Sequence, residues 1–216
     1  MPEHPIIQQL GKQKLLPLFY HSDPTTCLEV VQALYAAGVR NIEFTNRGQE
    51  ALSNFKELVS ERNRSMKDLY LAVGTIRSVA QATQFMEAGA DYLISPVFDP
   101  AIAAFTAKQK IGWIPGCMTP TEIHTADTAQ CQWIKLFPGN VLGPAFVSSI
   151  LELFPSAKFI VTGGVEPSLE GLRKWLDAGA TAVGVGSKLI TAELLKNKDY
   201  ETLKMHTTRL LHSLNN

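Results

Sequence analysis

The sequence predicts an α/β protein that folds as a single (β/α)8 barrel with a short N-terminal helix, and three observations lead to this prediction. Eight short apolar runs of strand-like composition recur along the 216 residues, and helix-like segments separate them. The runs begin roughly 20 to 29 residues apart, which is enough for one strand, one helix and two short loops. No shift of composition marks a linker, so one domain is predicted over residues 1–216.

The predicted strands are rich in aliphatic and aromatic residues and are bounded by glycine, proline or polar residues. They are residues 15–20, 41–45, 70–76, 92–97, 112–117, 133–138, 158–164 and 182–187. A strict alternation of strands and helices gives parallel strands, either in a closed barrel or in a doubly wound open sheet. The count of eight favours the barrel, and so does the lack of a G-x-G-x-x-G sequence at the first helix.

The segments between the strands have the features of helices. Residues 25–38 carry apolar side chains at helical spacing and end in glycine, which suits a C-cap. Asp23 and Pro24 provide an N-cap and a proline at the first helical position. We expect residues 1–14 to form a short leading helix and the chain from Asp199 onward to form a final amphipathic helix.

Composition and charge indicate a small-molecule substrate, with no nucleic acid or membrane partner. The 20 basic and 20 acidic residues balance to a net charge of zero, so no overall field attracts a polyanion. No apolar run approaches the roughly 18 residues of a membrane-spanning helix, and the first ten residues lack the pattern of a secretion signal. The three cysteines form no C-x-x-C pair and the five histidines have no ligand spacing. We therefore expect a cytoplasmic protein with reduced thiols and no metal site.

In such barrels the chemistry lies at the C-terminal ends of the strands, and a lysine and a glutamate stand out there. Lys135 lies in W-I-K-L-F-P-G and Glu43 lies in N-I-E-F-T. Because side chains alternate along a strand, Ile134 and Leu136 share the face opposite Lys135, and the residues flanking Glu43 are likewise bulky. If the bulky residues pack against the helices, Glu43 and Lys135 both point into the barrel.

This pair has two interpretations. A buried ion pair could be purely structural, with a doubtful net contribution to stability. Alternatively, Lys135 is a Schiff-base lysine with Glu43 as its acid/base, since a lysine amine is nucleophilic only when neutral and an apolar pocket favours that form. Lys158 begins its strand and so lies at the wrong end of the barrel, whereas Lys188 follows the last strand and is a weaker rival.

Glycine-rich turns after the seventh and eighth strands indicate a phosphate site. They are V-T-G-G-V-E-P-S (161–168) and V-G-V-G-S-K (183–188). Without side chains, backbone N–H groups can approach phosphate oxygens, and a helix N-terminus adds a favourable dipole. The alternative is that both are tight turns between a strand and a helix.

Together these residues resemble the class I KDPG/KHG aldolases, which act on 2-dehydro-3-deoxy-6-phosphogluconate (KDPG) and 4-hydroxy-2-oxoglutarate (KHG). The resemblance covers nearly the whole chain and rests on motifs that occur in family order. They are I-E-F-T-N-R, V-G-T-I, I-S-P, I-P-G, K-L-F-P-G, V-T-G-G-V and V-G-V-G-S. The resemblance implies a carbon–carbon lyase in which Lys135 forms the imine and Glu43 is the general acid/base. The products would be pyruvate and either glyceraldehyde 3-phosphate or glyoxylate.

The resemblance also implies a set of substrate-binding residues. They are Arg47 and Thr75 for the carboxylate of the pyruvyl part, Pro96 and Phe137 for the apolar wall, and Gly163, Gly164 and Ser187 for the distal phosphate. The family is typically a cytoplasmic homotrimer of (β/α)8 barrels that uses no metal or organic cofactor.

The chain departs from the family pattern at two places. Many members carry Leu-Arg-Thr where this chain has Asn46-Arg47-Gly48, and alanine where it has Gly139. These departures concern the range of substrates. Asn46 is either a polar contact to the substrate or a strand-end residue, and we favour the second interpretation. His21, which follows the first strand, is a candidate to reach the site.

Three rival functions use the same barrel. A phosphosugar isomerase or synthase, or a non-catalytic phosphosugar-binding barrel, would keep the glycine turns but would not need Lys135. A metal-dependent aldolase would need metal ligands, and the scattered histidines argue against such a site.

Overall fold

The computed structural model describes residues 5–215, which form a parallel β-barrel surrounded by helices. The strands are β1 (Leu15–Phe19), β2 (Asn41–Thr45), β3 (Tyr70–Gly74), β4 (Tyr92–Ile94), β5 (Gly112–Ile114), β6 (Gly116–Cys117), β7 (Trp133–Leu136), β8 (Lys158–Thr162) and β9 (Ala182–Val185). The helices are α1 (Pro5–Gln13), α2 (Pro24–Ala36), α3 (Ala51–Ser65), α4 (Val79–Glu87), α5 (Pro100–Gln109), α6 (Pro120–Thr128), α7 (Gly139–Leu153), α8 (Leu169–Leu176), α9 (Ala192–Asn197) and α10 (Tyr200–Asn215).

The strands follow the order β5-β4-β3-β2-β1-β9-β8-β7-β6, and neighbouring strands are parallel. The two ends of this sheet, β5 and β6, are consecutive in the chain, so the sheet curves into a nearly closed barrel. The prediction of an α/β barrel is confirmed.

The predicted continuous strand 112–117 is wrong, because Pro115 divides it into β5 and β6. Proline has no backbone N–H to donate to a neighbouring strand, so the ladder breaks there. The Pro115 carbonyl nevertheless accepts a hydrogen bond of 2.8 Å from the backbone N–H of Lys135. The chain therefore pairs with β4 before the break and with β7 after it, which joins the two sides of the barrel.

Several predicted strands end earlier than expected. The strands predicted to reach residues 76, 97, 138, 164 and 187 end at residues 74, 94, 136, 162 and 185. The residues that follow leave the sheet as loops at the C-terminal end of the barrel. Sequence pattern did not separate strand from loop here, because apolar residues continue past the last ladder hydrogen bond.

The helix ends follow the predicted chemistry. The Asp23 carboxylate accepts a hydrogen bond of 2.7 Å from the Thr26 backbone N–H, and Pro24 begins α2. The predicted leading and final helices are present as α1 and α10, although residues 1–4 and 216 lie outside the described part. Helix α9 was not predicted. No helix within residues 5–215 is long and apolar enough to cross a lipid bilayer.

Two apolar clusters fix the position of the site. The larger cluster lies between the strands and the helices and includes Ile42, Phe44, Ile134 and Leu136. The smaller one fills the N-terminal half of the barrel interior, where Ile7 and Leu10 of α1 close the opening. Its strand members are Leu16, Ala72, Tyr92, Ile94, Ile114, Trp133, Ile160 and Ala182. The interior is therefore packed at one end, and chemistry is confined to the C-terminal end.

Candidate active site

Lys135 and Glu43 meet inside the barrel at the boundary between the packed interior and the open end. Lys135 lies two residues after the interior residue Trp133, so it shares that face of β7. The Lys135 and Glu43 side chains are 9% and 1% exposed, and 3.7 Å separates Nζ from Oε1. The prediction that both side chains point into the barrel is confirmed. The separation is that of an ion pair and exceeds hydrogen-bond length.

The Glu43 carboxylate has few polar contacts for a buried group. Neither of its oxygens has a hydrogen-bond partner among the described residues. Gly74, at the end of the neighbouring strand β3, leaves room for this carboxylate, because a β-carbon there would lie 2.6 Å from the Glu43 carboxyl carbon and closer still to Oε1. Buried polar groups in a folded protein normally have hydrogen-bond partners, so a buried carboxylate without one, beside a lysine, is a candidate acid/base.

Two further polar side chains, Tyr92 and Asn41, lie inside the barrel near Glu43. The hydroxyl of the fully buried Tyr92 donates to Oδ1 of Asn41 at 3.3 Å. Burial, with a contribution from the Glu43 carboxylate, holds the pKa of Tyr92 well above its usual value. Asn41 lies two residues before Glu43, so both side chains face the same side of β2. Sequence reasoning assigned no role to Tyr92 or Asn41.

A cavity of about 350 Å³ opens above Lys135 at the C-terminal ends of the strands. Six of the predicted site residues line it, namely Lys135, Arg47, Phe137, Gly163, Gly164 and Ser187. The Lys135 Nζ lies 5.4 Å from the centroid of the Phe137 ring, which is within the range of a cation–π contact. The structure thus brings the predicted lysine, arginine and glycine turns around one space.

Glu43, Thr75 and Pro96 are not among the residues that line this cavity; Thr75 and Pro96 follow β3 and β4. Thr75 has a φ of 65°, in the left-handed region that a β-branched residue rarely adopts. Such a conformation costs roughly 1–3 kcal/mol and is concentrated at functional sites. Pro96 contributes its carbonyl to a close contact with Gly116, where any side chain would collide with it.

The glycine turn after β8 has a left-handed backbone. Gly163 and Gly164 have φ values of 97° and 73°, both in the left-handed region. The Gly163 carbonyl accepts a hydrogen bond of 2.9 Å from the Asn140 N–H at the start of α7. A β-carbon at Gly164 would lie 2.5 Å from that of Asn140, so the turn packs directly on α7.

The other candidates lie at the periphery. Lys188 lines the cavity rim, where its ammonium binds the Glu166 carboxylate. Lys158 begins β8 at the opposite end of the barrel. The Nδ1 atom of His21 accepts from the Asp23 N–H at 3.1 Å, and His21 is not among the cavity-lining residues. The Asn46 N–H donates to the Gly74 carbonyl at 2.9 Å, as a strand-end residue would.

Tyr20 lines the cavity although no role was predicted for it. Its hydroxyl donates to the Glu50 carboxylate at 2.8 Å, and burial together with this hydrogen bond raises the pKa of Tyr20. A β-carbon at Gly48 would lie 2.9 Å from Cε1 of Tyr20 and closer still to its hydroxyl. The departure from the family pattern at Gly48 is therefore coupled to Tyr20. The aromatic residue at the end of the first predicted strand was the available signal.

No cluster of three or more metal-ligating side chains occurs within residues 5–215. Of the three cysteines, which are all free, Cys27 and Cys117 are buried and Cys131 is half-buried.

The sequence of this chain matches one family of known proteins. The family model described as KDPG and KHG aldolase matches residues 6–205. The chain is 26% identical to the 2-dehydro-3-deoxy-phosphogluconate aldolase of Treponema pallidum over 196 residues, which are 90% of each protein. It is 32% identical over 124 residues to the 2-dehydro-3-deoxy-6-phosphogalactonate aldolase of Escherichia coli, covering 56% of this chain and 59% of that enzyme.

Solved structures give the same result. A 4-hydroxy-2-oxoglutarate/2-dehydro-3-deoxyphosphogluconate aldolase superimposes with a TM-score of 0.81 at 29% identity, covering 97% of this chain and all of the other. The fold also matches a KDPG aldolase from Legionella pneumophila, with a TM-score of 0.86 at 23% identity and coverage of 93% and 95%. The match to the family model extends over nearly the whole chain, and this chain belongs to the KDPG and KHG aldolase family.

Proposed function

We propose that this chain is a class I aldolase that cleaves a 2-keto-3-deoxy-6-phospho sugar acid, 4-hydroxy-2-oxoglutarate or both. The products are pyruvate and an aldehyde, which is glyceraldehyde 3-phosphate or glyoxylate. The observation that carries the proposal is the buried Lys135 Nζ, 3.7 Å from a Glu43 carboxylate that has no hydrogen-bond partner among the described residues. Family membership supports the reaction class.

The reaction begins when the neutral amine of Lys135 attacks the C2 ketone of the substrate. The carbinolamine loses water and becomes an iminium cation. The C4 hydroxyl then loses its proton as the C3–C4 bond breaks, and the electron pair of that bond moves to the iminium. This leaves an enamine and releases the aldehyde. Protonation of the enamine at C3 and hydrolysis of the imine yield pyruvate and restore the lysine.

Glu43 is the proposed proton carrier for these steps. General acid/base catalysis requires a carboxyl group within hydrogen-bond reach of the proton, directly or through one water. The gap of 3.7 Å to Nζ and the two unpartnered oxygens leave Glu43 available for such contacts. The same carboxylate can therefore serve the carbinolamine, the C4 hydroxyl and the enamine carbon in turn.

The substrate would extend across the cavity between two anion sites. Arg47 and Thr75 would hold the carboxylate beside the imine, and Phe137 and Pro96 would form the apolar wall around the reacting carbon. The distal phosphate would lie at the opposite side of the cavity, on Gly163, Gly164 and Ser187. The lining of the cavity by an arginine at β2 and by glycine turns at β8 and β9 supports this orientation.

Borohydride trapping tests the proposal. The enzyme is incubated with pyruvate, reduced, digested and analysed by mass spectrometry, and the adduct is expected on the peptide that contains Lys135. The Lys135→Met variant should give no adduct, whereas the matched Lys158→Met variant should be labelled as the wild type is. An adduct on Lys188 would contradict the assigned site. No adduct on any lysine would favour the isomerase or binding-only alternatives.

We also propose that the enzyme is a cytoplasmic homotrimer, as the family typically is. Three exposed apolar side chains follow β4, β6 and β7 at one end of the barrel: Val97 and Met118 lie in loops, and Val141 lies in the first turn of α7. Burial of such residues between subunits would stabilise an oligomer. Light scattering coupled to gel filtration should give a mass three times that of one chain. The Met118→Lys and Val141→Lys substitutions together should lower the measured mass.

A further inference from the structure

Lys188 lines the cavity but takes no part in the reaction described above. Lys188 lies in the glycine turn that follows β9, next to Ser187. Its ammonium binds the carboxylate of Glu166, which is two residues after the Gly163–Gly164 turn. The two side chains are 45% and 53% exposed, so both lie at the solvent-filled rim. Exposed ion pairs contribute little to stability, and Lys188 can therefore leave Glu166 at little cost.

The distribution of charge in the cavity gives Lys188 a role. Within the described residues, three lysine and arginine side chains line the cavity, namely Arg47, Lys135 and Lys188. Lys135 forms the imine at the reacting carbon of the substrate, and Arg47 is assigned to the substrate carboxylate. Lys188 is then the cation that remains for the end of the cavity formed by the glycine turns. A phosphate monoester carries nearly two negative charges and three acceptor oxygens, which backbone N–H groups alone do not neutralise.

We infer that Lys188 exchanges its partner from Glu166 to the distal phosphate of the substrate, and that this exchange makes the enzyme prefer phosphorylated keto acids to unphosphorylated ones. The inference rests on the proposed function. Lysine binds phosphate as a mobile point charge, and its four-carbon stem lets it turn from one acceptor to another. The phosphate carries more charge than the Glu166 carboxylate and so competes successfully for the ammonium.

Glu166 acts in the opposite direction. Its carboxylate holds Lys188 in the free enzyme and adds negative charge beside the phosphate position, and both effects weaken phosphate binding. Removal of the Glu166 charge should therefore tighten phosphate binding, whereas removal of the Lys188 charge should weaken it. A purely structural ion pair would give the same loss from either substitution.

Steady-state kinetics with two substrates measure the preference. KDPG carries a phosphate and 4-hydroxy-2-oxoglutarate does not, so the ratio of their kcat/KM values isolates the contribution of the phosphate. In Lys188→Met this ratio should fall about tenfold or more, as expected for the loss of one charge-assisted hydrogen bond. In Glu166→Gln the ratio should rise by about threefold. Lys204→Met is the matched control, because Lys204 pairs with Glu201 on the exposed face of α10 and does not line the cavity.

A binding measurement separates this inference from the aldolase reaction itself. The dissociation constant of inorganic phosphate, obtained from its effect on thermal unfolding, should rise about tenfold in Lys188→Met and fall in Glu166→Gln. Lys188→Met should still form the borohydride adduct with pyruvate on Lys135. If the adduct forms but neither the phosphate constant nor the substrate ratio changes, the Lys188 inference is wrong. If the phosphate constant changes but no variant forms an adduct, the proposed function is wrong and the phosphate site stands.

Discussion

The contact between Gly74 and Glu43 gives a quantitative prediction about the proposed acid/base. In Gly74→Ala the new β-carbon would lie 2.6 Å from the Glu43 carboxyl carbon, whereas ordinary contacts begin near 3.4 Å. Because Oε1 would lie closer still, the carboxylate must move by at least about 1 Å. A displacement of about 1 Å of a reacting group can reduce the rate about 100-fold, so we expect kcat/KM to fall by about two orders of magnitude.

The fold should tolerate this substitution. Gly74 has no positive φ, so alanine fits the backbone at the end of β3. The assay is release of pyruvate, coupled to its reduction by NADH and lactate dehydrogenase. Gly11→Ala is the matched control, because its β-carbon would meet neighbouring atoms only at 3.5 Å or beyond, in α1 at the far end of the barrel. Activity of Gly74→Ala within threefold of the wild type would show that the position of Glu43 does not govern catalysis.

Three further predictions concern single positions around the barrel. Gly48→Thr should lower the free energy of unfolding in urea by about 1–3 kcal/mol, because the new side chain would clash with Tyr20. Adding Tyr20→Val should recover most of that loss, and additive effects of the two substitutions in the double variant would contradict the coupling. Thr75→Asn should raise the free energy of unfolding by up to about 1 kcal/mol, because asparagine tolerates a φ of 65° better than threonine does. The value of kcat/KM should fall because the hydroxyl is lost, and a lower free energy of unfolding would show that Thr75 is unstrained. Burial raises the pKa of Cys131 to about 11. Iodoacetamide at pH 8.5 should therefore label this thiol about 100-fold more slowly in the native enzyme than in the unfolded enzyme, and equal labelling rates would contradict the assigned burial. Because the unfolded thiol ionises first, this group also lowers the free energy of unfolding as pH rises from about 8.5 to about 11.

The parts of the site that sequence predicted are those that depend on local periodicity. Alternation along a strand placed Glu43 and Lys135 on the interior face, since each is flanked by bulky residues that pack against the helices. The glycine turns were predicted because Gly163 and Gly164 follow an apolar strand, and their left-handed backbone is one that glycine adopts readily. Neither prediction required knowledge of distant contacts.

The parts that sequence did not predict depend on contacts between separate loops. Lys188 binds Glu166 across 22 positions of the chain, and Tyr20 binds Glu50 across 30. Such contacts depend on how loops lie over the end of the barrel, which no local pattern specifies. The break at Pro115 was missed for a related reason: its proline marked an interruption, but only the pairing of β5 and β6 with different neighbours revealed its role in closing the barrel.

Glycine occupies two positions in the upper layer of the barrel interior, next to the open end. The lower layer is filled by side chains such as Trp133 and Ile160, whereas the residues two positions beyond Ala72 and Ala182 are Gly74 and Gly184. A β-carbon at Gly184 would lie 3.1 Å from Leu18 and closer still to Thr162, so these glycines leave room for their neighbours. Glycine within a strand costs roughly 0.5–1 kcal/mol relative to alanine, and a buried Glu–Lys pair adds little stability. The upper layer is therefore less stable than an apolar layer in the same barrel would be. In return, this arrangement provides room for a buried carboxylate beside the lysine at the open end of the barrel.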